Sequence, residues 1–317
     1  MKKFFGAVFA LAALFPAYSQ LGLRIEMNRK VYMLYEPIYA CISLRNNSGR
    51  PLVFGQNPKL QGFIYFLIQD SKGRTIAKRP GTEISATGLL LKPGESRNLV
   101  LPVNEYYELE KAGSYTINVC VAHNLLPREL KSSRSQTFAV ENGVEVWSAV
   151  TGVPDITGSG QKDAPVKERK YSIRLLSEPP NKYYYLFVED DKMVYGVSRI
   201  GRQISIEKFK AEVDMLGRIH ILMPMSSKVF HYLAFSIDGM NIASSYWRVS
   251  DTIPTIYRDP GNGIVRRLGG VEAKRGVDYV EFQGTPASQL VKDGEVLKAA
   301  EGQVDLNKDI SMSRQEE

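Results

Sequence analysis

Two cysteines, three histidines and two tryptophans are all that 317 residues hold of these types. So few ligand-bearing side chains exclude a disulfide-dense scaffold and a Cys/His metal cluster, both of which need several such residues at short spacing. The chain also lacks a Gly-x-Ser-x-Gly elbow, a phosphate-binding P-loop and a Gly-x-Gly-x-x-Gly turn after a strand, so no motif marks a hydrolase nucleophile or a nucleotide cradle. After residue 20 no apolar run approaches the roughly 20 residues that a membrane helix needs. No stretch keeps a helical period for more than about 12 residues, which points away from helices and toward strands.

What is present begins with a three-part amino terminus. Lys2 and Lys3 supply positive charge, Phe4 to Phe15 an apolar run too short to span a bilayer, and Pro16-Ala17-Tyr18-Ser19 a small-residue exit. This is the pattern of a cleavable secretory signal over residues 1–19, with the cut before Gln20 and no nearby cysteine for lipid attachment. The expected location is the periplasm or the exterior, with no membrane span in the mature protein. Lys plus Arg number 41 against 34 acidic residues, a net charge of +7; loss of Lys2 and Lys3 leaves 39 against 34, or +5. The basic residues are scattered, apart from short pairs such as Arg266-Arg267 and Lys274-Arg275, and no basic helix or stripe appears. Nucleic acid is therefore not an expected partner.

From Leu21 to about Val140 short alternating runs are divided by turns. Ile38, Ala40, Ile42 and Leu44 alternate with Tyr39, Cys41 and Ser43. Phe63 to Ile68 and Asn98 to Val103 read as further strands, with turns at Asn46 to Pro51, Asp70 to Gly73 and Lys92 to Glu95. Between Val144 and Lys170 Gly, Pro, Ser and charge interrupt the pattern, and this stretch is expected to be a linker. A second strand-rich region follows: Lys182 to Val188, Met193 to Val197, Phe209 to Val213, Arg218 to Met223, Val229 to Ile237 and Ala243 to Val249. Ile264 to Leu268 and Val277 to Phe282 read as edge strands. After Gln283 the chain has no aromatic residue and few large apolar ones, and is expected to be disordered with a transient helix around Leu290 to Ala300.

The expectation is an all-β protein with two β-sandwich domains joined by a linker and a disordered C-terminal tail. Its parts are a signal at 1–19, a sandwich at 20–143, a linker at 144–170, a second all-β domain at 171–283 and a tail at 284–317. Within the first domain, Asn28-Arg29-Lys30-Val31-Tyr32, Glu36-Pro37-Ile38, Asn46-Asn47-Ser48-Gly49, Pro93-Gly94-Glu95 and Gly113-Ser114-Tyr115 resemble the immunoglobulin-like and macroglobulin-like domains of exported bacterial proteins. The resemblance covers about a third of the chain. It implies a sandwich with a tyrosine corner at Tyr115, tying a late strand to the loop before it, and implies no specific activity.

Export makes a Cys41–Cys120 disulfide the first expectation, and the positions resemble the bridge between the sheets of an immunoglobulin domain. Strand parity opposes it. Cys41 opposes the apolar set of its strand and Cys120 lies on the opposite face from Tyr115, so both point away from the core unless a bulge shifts the register. A disulfide and two separate thiols both remain open.

His123, His220 and His231 form no ligand-spaced cluster; His220 and His231 could face each other across a hairpin through Pro224 to Lys228. Glu189-Asp190-Asp191 fits a tight turn better than a calcium loop. Tyr183, Tyr185 and Phe187 share one strand face, with Tyr184, Leu186 and Val188 on the other. With Tyr246-Trp247 they are candidates to stack a sugar or anchor a partner, against the plainer reading of core and cross-strand packing. No residue is assigned to catalysis, cofactor or metal, and no cofactor is expected. The leading reading is a non-catalytic exported binding or scaffolding protein of the bacterial envelope, with an envelope polymer or protein as partner. The alternative is a secreted hydrolase of glycans or peptides with a site near Asp214, Arg218 and His220. A third reading is an inhibitor presenting a loop of the first domain to an envelope protease.

Overall fold

A computed structural model describes residues 20–55, 61–126, 128–153, 167–204 and 208–279. The expected signal at 1–19 and tail at 284–317 lie outside the described residues, as do positions 154–166 of the expected linker.

The chain is all-β. The first half runs β1 (Leu21–Met27), β2 (Val31–Met33), β3 (Tyr39–Asn46), β4 (Leu52–Val53), β5 (Gly62–Asp70), β6 (Leu90–Leu91), β7 (Ser96–Pro102), a single helical turn α1 (Val103–Tyr106), β8 (Gly113–His123), β9 (Leu130–Lys131) and β10 (Gln136–Glu141). The second half runs β11 (Val144–Gly152), β12 (Glu168–Glu178), β13 (Asn181–Glu189), β14 (Val194–Arg202), β15 (Lys210–Val213), β16 (Ile219–Pro224), β17 (Val229–Phe235), β18 (Asn241–Arg248), β19 (Thr255–Arg258), β20 (Val265–Leu268) and β21 (Val271–Glu272).

In the first half a sheet in the order β1-β3-β7 faces one in the order β2-β10-β8-β5, with β4-β6 as a separate ribbon. The alternation read from Ile38 to Leu44 is realised: Ala40, Ile42 and Leu44 are buried and pack with Leu99 and Leu101 of β7 against Phe66, Ile68, Ile117, Val119 and Phe138 of the other sheet. The expected turns form, with Gly73 at φ +76° and Gly94 at φ +77°, values that a residue without a Cβ adopts freely. The tyrosine corner forms as well. Tyr115 Oη donates to the Lys111 carbonyl at 2.6 Å, and the ring stacks on Phe138 with centroids 5.6 Å apart.

In the second half β11-β12-β13-β14 packs on β15-β16-β17-β18-β21, and β19 pairs with β20 as a ribbon. Tyr171, Ile173, Tyr184, Leu186, Val188 and Ile200 of the first sheet meet Ile219, Ile221, Met223, Leu233 and Phe235 of the second. The linker expected from residue 144 is corrected here. Val144–Gly152 is a nine-residue strand that pairs antiparallel with β12, and Trp147 packs against the sheet core. The edge strand expected from Val277 is also absent in its described part, where Lys274 to Asp278 is a turn closed by Asp278 N–H to the Lys274 carbonyl at 2.9 Å.

The halves meet through side chains. Met33 at the end of β2 joins Leu176, Tyr185 and Phe187 in one buried cluster, with Val31 and Tyr183 packed against it. The outward face of β13 is thus partly covered by the first domain, which explains why both faces of that strand are aromatic and apolar.

Candidate functional site

Three side-chain groups could carry chemistry. The first is the one picked out in the sequence, and it is brought together. Asp214 begins the turn between β15 and β16, which Gly217 closes at φ +73° with its N–H on the Asp214 carbonyl at 3.0 Å. Asp214 Oδ1 accepts the N–H groups of Leu216 and Arg218 at 2.9 Å each, and Oδ2 accepts Arg218 Nη2 at 2.6 Å and His220 Nε2 at 3.1 Å. With Nε2 donating to the carboxylate, His220 Nδ1 is the acceptor and Tyr232 Oη donates to it at 2.7 Å. The result is a buried Tyr-His-Asp hydrogen-bonded chain. Asp214 is 3% and His220 7% exposed, so both side chains are closed in by their own hairpin. Burial pushes the Asp214 carboxyl up, but the Arg218 guanidinium and N–H and the His220 ring outweigh it and hold the carboxyl below its ordinary range. Burial likewise holds His220 below its ordinary value despite Asp214. Every lone pair of Asp214 in reach is used to close its own hairpin. Tyr171 Oη bonds the Gly217 carbonyl and fastens that turn to the opposite sheet.

His231 and His220 do not face each other. His231 pairs with Met223 and His220 with Ala234, which puts them on opposite faces of the sheet. The spacing placed the hairpin correctly, but the register sets His220 opposite Ala234, three residues past His231, and an odd offset puts the two rings on opposite faces. His231 lies against Tyr246, centroids 4.2 Å apart and 4° between planes, and its Nε2 is 2.8 Å from Ser244 Oγ. Burial alone lowers its pKa to about 4. His123 is bound within its own domain, donating from Nε2 to the Val53 carbonyl at 2.9 Å and accepting Leu125 N–H at Nδ1 at 3.0 Å.

Asp190 makes the expected turn: Oδ1 accepts Lys192 and Met193 N–H at 2.8 and 2.9 Å, and Oδ2 accepts Tyr195 Oη at 2.6 Å, bonds that lower its pKa to about 2. No group of three or more metal-ligating side chains occurs among the described residues. Cys41 sits opposite Glu26 and Val100 on one sheet and Cys120 opposite Tyr65 on the other, both on outward faces and both free thiols, as strand parity implied.

The second group, which the sequence did not single out, joins the halves. Tyr35, at φ 67°, turns the chain after β2 so that Glu36 comes back and its Oε1 accepts Met33 N–H at 2.5 Å. Arg29 Nη2 meets Glu36 Oε2 at 2.7 Å, and Nη1 reaches Glu178 at 3.0 Å and Tyr185 Oη at 2.8 Å across the domain boundary. Arg199 approaches the other Glu178 oxygen at 3.6 Å and lies 3.5 Å above the Tyr183 ring. The side chains of Arg29, Glu36 and Glu178 are 10, 7 and 15% exposed, so these charges depend on one another rather than on water. This constellation positions domains; it holds no reactive group facing solvent.

The third is a sheet edge that no strand among the described residues pairs with. β11 ends its sheet, and Val144, Val146 and Val150 are 67, 45 and 61% exposed along it. Next to it, Glu145, Lys170, Arg174 and Glu189 form an alternating charge lattice with contacts of 2.9 to 3.8 Å over the outward face. Arg174 lies 3.9 Å above the Phe187 ring. A groove of about 840 Å³ opens beside Val150, Lys170, Glu189, Lys192 and Tyr195. The Val-x-Val-x-x-x-Val spacing was visible in the sequence, but the Gly/Pro/Ser run that follows it masked the strand.

No protein-family model matches the chain, and neither does any curated protein. Solved structures similar to it include the YadV chaperone, at 10% identity over 72% of this chain and 99% of that one with a TM-score of 0.22. Another is the Salmonella enterica SafA pilin in complex with the SafB chaperone, at 9% identity over 72% and 96% with a TM-score of 0.21. No helix among the described residues is long and apolar enough to cross a membrane.

Proposed function

We propose that this chain is an exported, non-catalytic binding or scaffolding protein of the bacterial envelope that takes an extended segment of a partner protein along the edge of β11. The observation that carries this reading is the edge itself: nine residues long, last in its sheet, with three exposed valines. Native sheets protect such edges with charge, proline or a covering element, because unpaired N–H and C=O groups template another strand. A partner strand would gain main-chain hydrogen bonds there and pack alternate side chains on Val146 and Val150. The three-part amino terminus supports export. The rigid joint at Arg29, Glu36 and Glu178 supports a scaffold that holds its sheets in one arrangement.

The test is capture of an envelope protein by the mature chain, compared with the variant Val146→Lys/Val150→Lys. The reading requires that the same protein be retained by the unmodified chain and lost by the variant at unchanged thermal stability. Equal capture by both removes β11 as the site. Hydrolysis of a glycan or peptide library that depends on Asp214 would favour the secreted hydrolase instead.

A further inference from the structure

The chain crosses from the first half to the second through two residues, Asn142 and Gly143, between the end of β10 and the start of β11. Asn142 is exposed and lines an open groove with Gly113, Glu141, Val144 and Leu175. Neither its carboxamide nor the Gly143 N–H makes a hydrogen bond among the described residues. In an Asn-Gly pair the main-chain nitrogen of the glycine can attack the asparagine side-chain amide, because glycine sets no side chain in the way. Water reaches this pair, and no bond holds the nitrogen or the carboxamide in another geometry.

The sequence holds a second such pair, Asn262-Gly263, in the turn between β19 and β20. There both groups are engaged. Asn262 Oδ1 accepts the Ile264 N–H at 2.9 Å, and the Gly263 N–H donates to the Asp259 carbonyl at 2.8 Å. Attack requires the nitrogen to give up its proton and the carboxamide to swing over it, so this turn has to open locally before it can react.

The surroundings of Gly143 decide what a reaction at Asn142 would do. Gly143 has φ +64°, and a Cβ added to it would lie 2.7 Å from Met33 Cε and 3.0 Å from the Leu175 carbonyl oxygen. Met33 belongs to the buried cluster with Leu176, Tyr185 and Phe187, and its N–H is held by Glu36 beside Arg29. A change of backbone length at position 142 therefore presses on the packed joint between the halves, which has no spare room to absorb it.

We propose that Asn142 is a site of spontaneous deamidation and that its isoaspartyl product loosens the joint between the two halves. The Gly143 nitrogen forms a bond to Asn142 Cγ, the Cγ–Nδ2 bond breaks, and Nδ2 leaves as ammonia with the proton that the Gly143 nitrogen gives up. Water then opens the cyclic imide. Cleavage at Cγ gives aspartate; cleavage at the main-chain carbonyl carbon gives isoaspartate, whose backbone runs through Cβ and Cγ and is one carbon longer. This goes beyond the β11 reading and does not depend on it.

The test ages the full mature chain at mildly alkaline pH, folded and in guanidinium chloride. Both sites are followed by peptide mass spectrometry, in which conversion adds about one dalton and fragmentation separates isoaspartate from aspartate. In guanidinium chloride the two sites should convert at similar rates, because the turn around Asn262 is gone. In the folded chain Asn142 should convert roughly tenfold faster than Asn262 or more. Unfolding is then followed by tryptophan fluorescence, which reports the second half alone, and by circular dichroism, which reports both. Isoaspartate at 142 should widen the gap between the two transitions. Asn142→Gln, aged alongside, should show no such change, and neither should Asn142→Asp, which gains the exposed charge without the added carbon. Equal conversion of Asn142 and Asn262 in the folded chain would overturn the proposal, and so would isoaspartate at 142 with an unchanged gap.

Discussion

Replacing Arg29 by methionine tests whether the two halves are locked by charge. The substitution keeps the packed stem and removes the cation that sits 2.7 Å from Glu36 and 3.0 Å from Glu178. Glu178 retains Arg199 at 3.6 Å, while Glu36, 7% exposed, keeps only the Met33 N–H. Removing one partner of a buried pair costs about 3–5 kcal/mol, because the remaining charge is neither solvated nor paired. At a urea dependence near 3 kcal/mol per M, the midpoint should fall by about 1–2 M. Both tryptophans, Trp147 and Trp247, lie in the second half, so their fluorescence reports that half alone while circular dichroism reports both. The two transitions should coincide in the unmodified chain and separate in Arg29→Met. Arg29→Met/Glu36→Gln should recover most of the loss, since a glutamine can still accept the Met33 N–H without carrying a charge. A loss below about 1 kcal/mol, or a double variant no more stable than the single, would refute the electrostatic lock and leave Met33 packing as the sole joint.

Two other measurements follow from the groups already placed. His231 has a folded pKa near 4, below the unfolded value of 6.5, so the unfolded chain binds a proton first and stability falls as pH drops from 6.5 toward 4. The loss attributable to this residue, read from urea midpoints as the difference between the unmodified chain and His231→Asn, should approach but not exceed about 3 kcal/mol; equal pH dependence in both would contradict a neutral buried imidazole. The mature protein should titrate two thiols under denaturing conditions, and in the folded state Cys41, half-buried beside Glu26, should react slowly and Cys120 not at all, since burial raises both pKa values. A mass two daltons lower under non-reducing conditions would mean that the two sheets are bridged.

Residues with a local signature were readable, and residues that act across distance were not. The alternation of Ile38 to Leu44, Gly73 and Gly94 at their turns, and Tyr115 after Gly113 each encode their role within a few positions, and each took it up. Parity also placed Tyr183, Tyr185 and Phe187 against Tyr184, Leu186 and Val188 correctly. What parity could not tell is that the first set is covered by Met33 from the other domain. The Asp214 turn was legible, yet its use was not: Asp, Arg and His at spacings of four and two look the same whether they face a cleft or close a hairpin, and only burial separates the two.

The Arg29 constellation shows why the joint escaped a linear reading. Arg29 and Glu178 are 149 positions apart, and nothing near either in sequence marks it as paired. The one local hint is Tyr35, a bulky residue held at positive φ, a conformation that costs roughly 1 kcal/mol or more unless the surroundings enforce it. That turn brings Glu36 back under Arg29, and Arg29 in turn reaches Glu178 and Tyr185. Strain on one side of the boundary is thus held in place by charge pairing across it. Releasing the turn with Tyr35→Gly should raise the urea midpoint of the unmodified chain and, because Glu36 still accepts the Met33 N–H, that of Arg29→Met as well; no gain in either would refute strain at Tyr35.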